Sequence, residues 1–222
     1  MSGEERNIRL CLAYDGTGYS GWQRQPEART VQATVEACLK RMTSEEVTLH
    51  GAGRTDAGVH ALGMVANFHT RTSIPVHGLW RGLNAMLPAD IQILKVQEAD
   101  PRFHSRYSAT GKAYRYDLYT GPVQQPTRRL YETHVPCRFA LDQVLRCLAL
   151  LRGTHDFSSF EARGSRNPAC TNGRGAVRTL FHCSCTPDQS RKAGVFGFWA
   201  MVFSATWCVI WSAPCCWWPG AR

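Results

Sequence analysis

The run GAGRTDAGVHA, Gly51 to Ala61, gathers residue types that can do chemistry. It holds one carboxylate, Asp56, two residues after the cation Arg54, in a frame of small side chains. An Asp in such a place can be a turn or N-cap residue that accepts backbone N–H bonds. Kept unprotonated by Arg54, it can instead attack carbon, as carboxylate nucleophiles do toward sugars and rings. No neighbouring His or Ser completes a nucleophilic triad. The run also lacks the Gly-Lys-Ser/Thr ending of a phosphate loop, which leaves nucleotide hydrolysis unsupported. Both readings of Asp56 stand at this point.

Basic and aromatic residues interleave further along. FHSRY, Phe103 to Tyr107, precedes GKAYRYDLY, Gly111 to Tyr119. Strand alternation puts Tyr114 and Tyr116 on one face of the second segment and Arg115 on the other. Cations can hold phosphates while a ring stacks on an exposed base, and the same pattern also suits a half-buried strand with a basic outer face. Charge favours a polyanionic partner: 26 Lys and Arg against 17 Asp and Glu give a net charge of +9. The N-terminus, MSGEERNIRL, has no apolar stretch and no cleavage pattern, so a cytoplasmic location is expected. The ten Cys are then expected to remain thiols. His182, Cys183 and Cys185 lack the second pair that a zinc set requires, so they read as strand residues and no metal is expected.

The elements that must position these residues follow from periodicity. Asn7 to Tyr14 alternates as a strand, and DGTGYSGWQRQP after it is an irregular Gly-rich loop. Thr30 predicts the N-cap of a helix with Val31, Val35, Cys38, Leu39 and Met42 on one face. Strands are predicted over Val47 to Ala52 and Leu62 to His69, a helix over Leu79 to Leu87, and a strand over Ile91 to Gln97. That order is β-α-β-β-α-β, the split ferredoxin-like unit, with Asp56 in the connection between its middle strands. The pattern starts again with a strand at Ala113 to Tyr119, a helix at Leu141 to Leu151 and a strand at Val177 to Cys185. The strand, helix and strand that should follow are not recognisable.

Four segments in order then resemble one family. AYDGTGYSGWQRQ (Ala13 to Gln25), GAGRTDAGVHA, FHSRYSATGKAYRY (Phe103 to Tyr116) and GTHDFSSF (Gly153 to Phe160) are similar to the tRNA pseudouridine synthase A family, colinearly from about Arg6 to Leu180. GRTDAG is the most specific, being that family's catalytic signature. The resemblance implies an α+β fold of two ferredoxin-like units forming a mixed, largely antiparallel sheet flanked by helices. It implies isomerisation of uridine to pseudouridine at positions 38, 39 and 40 of the tRNA anticodon arm, without cofactor or metal. Asp56 matches the catalytic aspartate, Arg54 the arginine that pairs with it and helps hold the target out of the stack, and Tyr114 the tyrosine that packs on the flipped base. Phe103, His104, Ser105, Arg106 and Tyr107, with Gly164, Ser165, Arg166, Asn167 and Pro168, match stretches that contact tRNA. A homodimer with the RNA crossing both subunits is also implied.

Beyond Lys192 the chain departs from the family. Val195 to Trp218 has no charged residue and is long enough to read as a membrane span. Read from the third base of the Val195 codon with synonymous codons chosen freely, however, the shifted frame gives FRFLGDGFLRHMVRNLVGTLLLVARG. That string is similar to the family's missing strand and helix, so a frameshifted tail is the expectation. The expected organisation is an N-terminal catalytic unit over 1–107, an incomplete second unit over 108–192 and an aberrant tail over 193–222. A sheet without its covering helix exposes apolar surface and an unpaired edge, which predicts poor folding and weak activity. An RNA-binding remnant without catalysis and a tail-anchored membrane protein are the competing readings.

Overall fold

The computed structural model describes residues 4–136, 140–160, 176–187 and 195–203, the last nine by backbone alone. The chain divides into two units, one holding the described residues up to Ala109 and the other those from Thr110 on.

The first unit runs β1 (Arg6–Tyr14), α1 (Val31–Thr43), β2 (His50–Gly51), β3 (Ala61–Thr70), α2 (Val76–Met86) and β4 (Ile91–Ala99). Its strands pair antiparallel in the order β2-β3-β1-β4, the arrangement expected of a split β-α-β-β-α-β unit. Alternation on β1 sends Ile8, Leu10 and Leu12 to the helical side, where they are fully buried with Phe68 of β3 and Ile91 of β4. Val31, Val35 and Leu39 of α1 and Leu79 and Leu83 of α2 close that core. Each such side chain contributes about 1.5–3 kcal/mol on leaving water. Thr30 caps α1 as expected, its Oγ1 accepting the Ala33 N–H. The helix ends where Ser44 turns left-handed at φ 58° and its N–H donates to the Lys40 carbonyl.

One strand is much shorter than its sequence suggests. Alternation predicts Val47 to Ala52, yet only His50 and Gly51 pair with β3. The buried Glu36 of α1 takes the Leu49 N–H at 2.9 Å, so that donor is lost to a β-ladder. The Leu49 side chain joins the core instead.

The second unit runs β5 (Lys112–Tyr119), β6 (Thr133–His134), α3 (Leu141–Leu151), β7 (Gly153–Asp156), β8 (Val177–Pro187) and β9 (Val195–Phe203). Its sheet order is β6-β5-β9-β8-β7, antiparallel except between β5 and β6. The stretch β8-β9-β5 repeats the β2-β3-β1 arrangement of the first unit. β9 thus stands in the third-strand position, and its residues lie in the segment read as an aberrant tail. Val, Phe, Trp and Met predominate in VFGFWAMVF, and such residues suit an extended, paired backbone. Those nine residues were also the start of the run weighed as a membrane span. Among the described residues no helix is long and apolar enough to cross a membrane. Helix α3 buries no residue fully; Leu141, Val144, Leu148 and Leu151 are only half-buried, while Leu145 and Leu150 are exposed. The unit is therefore α+β but incomplete as a ferredoxin-like repeat.

Candidate active site

Asp56 sits in the loop that joins β2 to β3. A turn brings the Val59 N–H to the Asp56 carbonyl at 3.2 Å, with Gly58 at φ 77° completing it. The side chains of Asp56 and Arg54 are both exposed. Among the described residues no ion pair joins them, so each presents its charge to solvent. A fixed carboxylate needs a fixed loop, and the loop after β1 supplies it.

That second loop lies against the first along its length. The Tyr14 hydroxyl and Thr55 Oγ1 are hydrogen-bonded at 2.8 Å. The Trp22 N–H donates to the Thr55 carbonyl at 3.0 Å, and the Gly58 N–H donates to the Tyr19 carbonyl at 3.3 Å. His60 Nδ1 lies 3.2 Å from the Gly16 nitrogen and 3.0 Å from Asp15 Oδ1. It accepts from the first when neutral and donates to the second when protonated. Glycine makes the approach close enough. A Cβ on Gly16 would stand 2.0 Å from the Val59 carbonyl oxygen, and one on Gly51 2.6 Å from the Trp22 indole.

A buried polar group anchors the same loop from below. The Tyr19 hydroxyl donates to Asp90 Oδ1 at 2.6 Å and accepts from Arg29 Nη2 at 2.9 Å. The Arg29 guanidinium covers the Tyr19 ring at 4.3 Å. Burial first, then the Asp90 hydrogen bond and charge, push the Tyr19 phenol from 10.0 up to about 12. The folded chain thus keeps a proton that the unfolded chain releases, so stability is intact below pH 10 and falls as pH rises toward 12. Tyr19→Phe is expected to flatten that fall. Urea melts from pH 9 to 12 check it, and equal slopes in the two proteins would refute it.

Phe103 to Tyr107 form a turn docked beside β2. The buried Asn67 of β3 donates to Asn7 Oδ1 at 3.0 Å and accepts the Ser105 N–H at 2.9 Å. Asn7 in turn donates to the Phe103 carbonyl at 2.8 Å. Ser105 is itself buried, and its hydroxyl donates to the His50 carbonyl, so it holds the turn and does not face a ligand. Of its neighbours Tyr107 is 71% exposed, while His104 is half-buried, its ring 4.9 Å from His50 and 4.4 Å from Tyr107. Burial, then the neighbouring His50, lower the His104 pKa, which favours its neutral ring. Arg106 stands 5.9 Å from the Tyr107 ring.

Tyr114 belongs to the second unit, half-buried on β5, where Ala113 and Arg115 are exposed as alternation predicts. Gly164, Ser165, Arg166, Asn167 and Pro168 lie outside the described residues. Pattern reading missed Tyr14, Tyr19, Thr55, Asp90 and the Asn7–Asn67 pair. Only the two Asn carried a signal, being polar residues poorly suited to strand interiors.

A family model described as tRNA pseudouridine synthase matches residues 10–108. The tRNA pseudouridine synthase A 1 of Desulfotalea psychrophila is 53% identical over 175 residues, covering 79% of this chain and 70% of that protein. The tRNA pseudouridine synthase A of Acetivibrio thermocellus is 45% identical over 175 residues, covering 79% and 69%. That of a Thermoanaerobacter species is 45% identical over 184 residues, covering 83% and 73%.

Proposed function

The chain belongs to the tRNA pseudouridine synthase A family, and from that premise we propose that it isomerises uridine to pseudouridine in the anticodon arm of tRNA, at positions 38, 39 and 40. The observation that carries this reading is the exposed Asp56, set on a loop tied into the core of the first unit. Asp56 is the reacting carboxylate. The Asp56 oxygen bonds to C1′ of the ribose as the C1′–N1 bond breaks, the freed uracil turns, and C5 bonds to C1′ as the C1′–O bond to Asp56 breaks and restores the carboxylate. The proton at C5 is lost and N1 gains one, so atoms balance without redox change. Arg54 helps hold the target nucleotide, which must leave the stack before its glycosidic bond is accessible, and Tyr114 has the role that its match to the family's base-packing tyrosine implies.

The net charge of +9 favours the phosphate backbone and makes binding salt-dependent. Phe103, His104, Arg106 and Tyr107 contact the RNA from the first unit, and Gly164 to Pro168, which match a second tRNA-contacting stretch of the family, lie outside the described residues. A homodimer acting in the cytoplasm, where tRNA is processed, completes the reading.

The test incubates the chain with unmodified tRNA transcripts and maps pseudouridine by carbodiimide adduct formation and primer-extension stops. New stops at positions 38 to 40 are expected, faint because the second unit is incomplete, with a light-scattering mass of two chains. Tight tRNA binding without any stop would replace this reading with that of an RNA-binding protein.

A further inference from the structure

We infer that Tyr14 is a positioning residue for the reaction, holding Asp56 in place through Thr55. The inference rests on the proposed role of Asp56 and extends it to a side chain that does not touch the RNA. Tyr14 ends β1 and is only 5% exposed, with its ring 6.0 Å from that of Trp22. Its hydroxyl meets Thr55 Oγ1 at 2.8 Å, one residue before Asp56. The Thr55 carbonyl is held from the other direction by the Trp22 N–H at 3.0 Å. Gly21, at φ 90°, lets that backbone approach so closely that a Cβ there would fall 2.5 Å from the Thr55 oxygen and 3.2 Å from the Asp56 carbonyl carbon.

The side chain and the carbonyl of Thr55 are thus fixed by two groups from one rigid source, the end of β1 and the loop it launches. With Thr55 fixed, the backbone entering Asp56 has little freedom left. Asp56 is exposed, so its surroundings do little to restrain it directly. Reactivity falls steeply when a reacting group drifts, by about 10²-fold for displacements near 1 Å. A phenol at the core's edge is suited to this work because burial and ring packing fix its hydroxyl far better than a flexible side chain could.

Tyr14→Phe removes the hydroxyl and leaves the ring. With saturating tRNA the single-turnover rate is expected to fall about tenfold or more, while tRNA affinity stays within about twofold. Thr55→Val should match it, Thr55→Ser should restore most of the rate, and the double variant Tyr14→Phe/Thr55→Val should be no slower than either single change. Val35→Ala, a destabilising core substitution far from this contact in sequence, is the control, and its turnover rate should be unchanged. A Tyr14→Phe rate equal to wild type, or a loss shared by Val35→Ala, overturns the inference.

Amide hydrogen exchange separates this failure from that of the proposed function. In Tyr14→Phe the Trp22 amide should exchange about tenfold faster while Leu10 in β1 keeps its protection. Unchanged Trp22 exchange overturns the clamp whether or not the chain makes pseudouridine. Faster Trp22 exchange in a chain that makes none leaves the clamp standing and refutes the activity.

Discussion

Asp56→Asn is expected to reduce pseudouridine formation by at least about 10³-fold, because an amide cannot supply the negative oxygen that attacks carbon. The substitution separates chemistry from structure cleanly. The Asp56 side chain is exposed, and the turn around it depends on its carbonyl, which the amide variant retains. Surface changes of this kind shift stability by about 0.5 kcal/mol or less. Binding of tRNA should also persist, since removing one negative charge from a basic surface does not oppose a polyanion. Asp15 provides the contrast. Its carboxylate accepts from the Thr17 backbone at 3.0 Å and the Thr17 hydroxyl at 2.6 Å and lies beside His60. Asp15→Asn should therefore alter stability and rate together, and by far less in rate. Single-turnover assays, gel shifts and thermal melts on both variants decide the matter. An Asp56→Asn protein within tenfold of wild type would remove Asp56 from the reaction.

What the sequence revealed, and what it hid, divide along the range of the contacts involved. Local signals read well. Alternation in RNIRLCLAY, the Thr30 cap and the apolar face of α1 all describe contacts within a few residues, and β1 and α1 lie where those signals put them. The loop carrying Asp56 was readable for the same reason, since it falls between two strands of a recognisable unit. Signals failed where a distant group won a competition. Leu49 has strand character, but Glu36, thirteen residues earlier, captures its N–H and truncates β2. Ser105 reads as part of a polar, RNA-facing run, but Asn67 of β3 draws it inward. VFGFWAMVF looked foreign to the fold because it opens a long run without charge. Pairing with β5 and β8 uses only the backbone, and an apolar, β-prone segment can satisfy it.

The glycines of the first loop show the same limit most sharply, and Gly16 offers the second large test. Its type suggests a turn, yet it lacks the left-handed φ for which turns favour glycine. What it supplies is proximity. A Cβ there would lie 2.0 Å from the Val59 oxygen, 2.6 Å from its carbonyl carbon and 3.0 Å from its nitrogen, all backbone atoms that no rotamer change can move. Gly16→Ala must therefore push the two loops apart. The contacts strained are those nearest the reaction: Gly16 with His60, Tyr19 with Gly58, and Tyr14 with Thr55. A separation near 1 Å is expected to lower turnover about 10²-fold. Overpacking should cost about 1–3 kcal/mol of stability as well. Gly63→Ala supplies the control, because a Cβ there meets nothing nearer than Cys11 Sγ at 3.8 Å. Its melting temperature and turnover should stay near wild type. If Gly16→Ala turned over normally, the loops could part without displacing Asp56. The carboxylate would then owe its placement to the β2–β3 connection alone, and Tyr14 would be a core residue and nothing more.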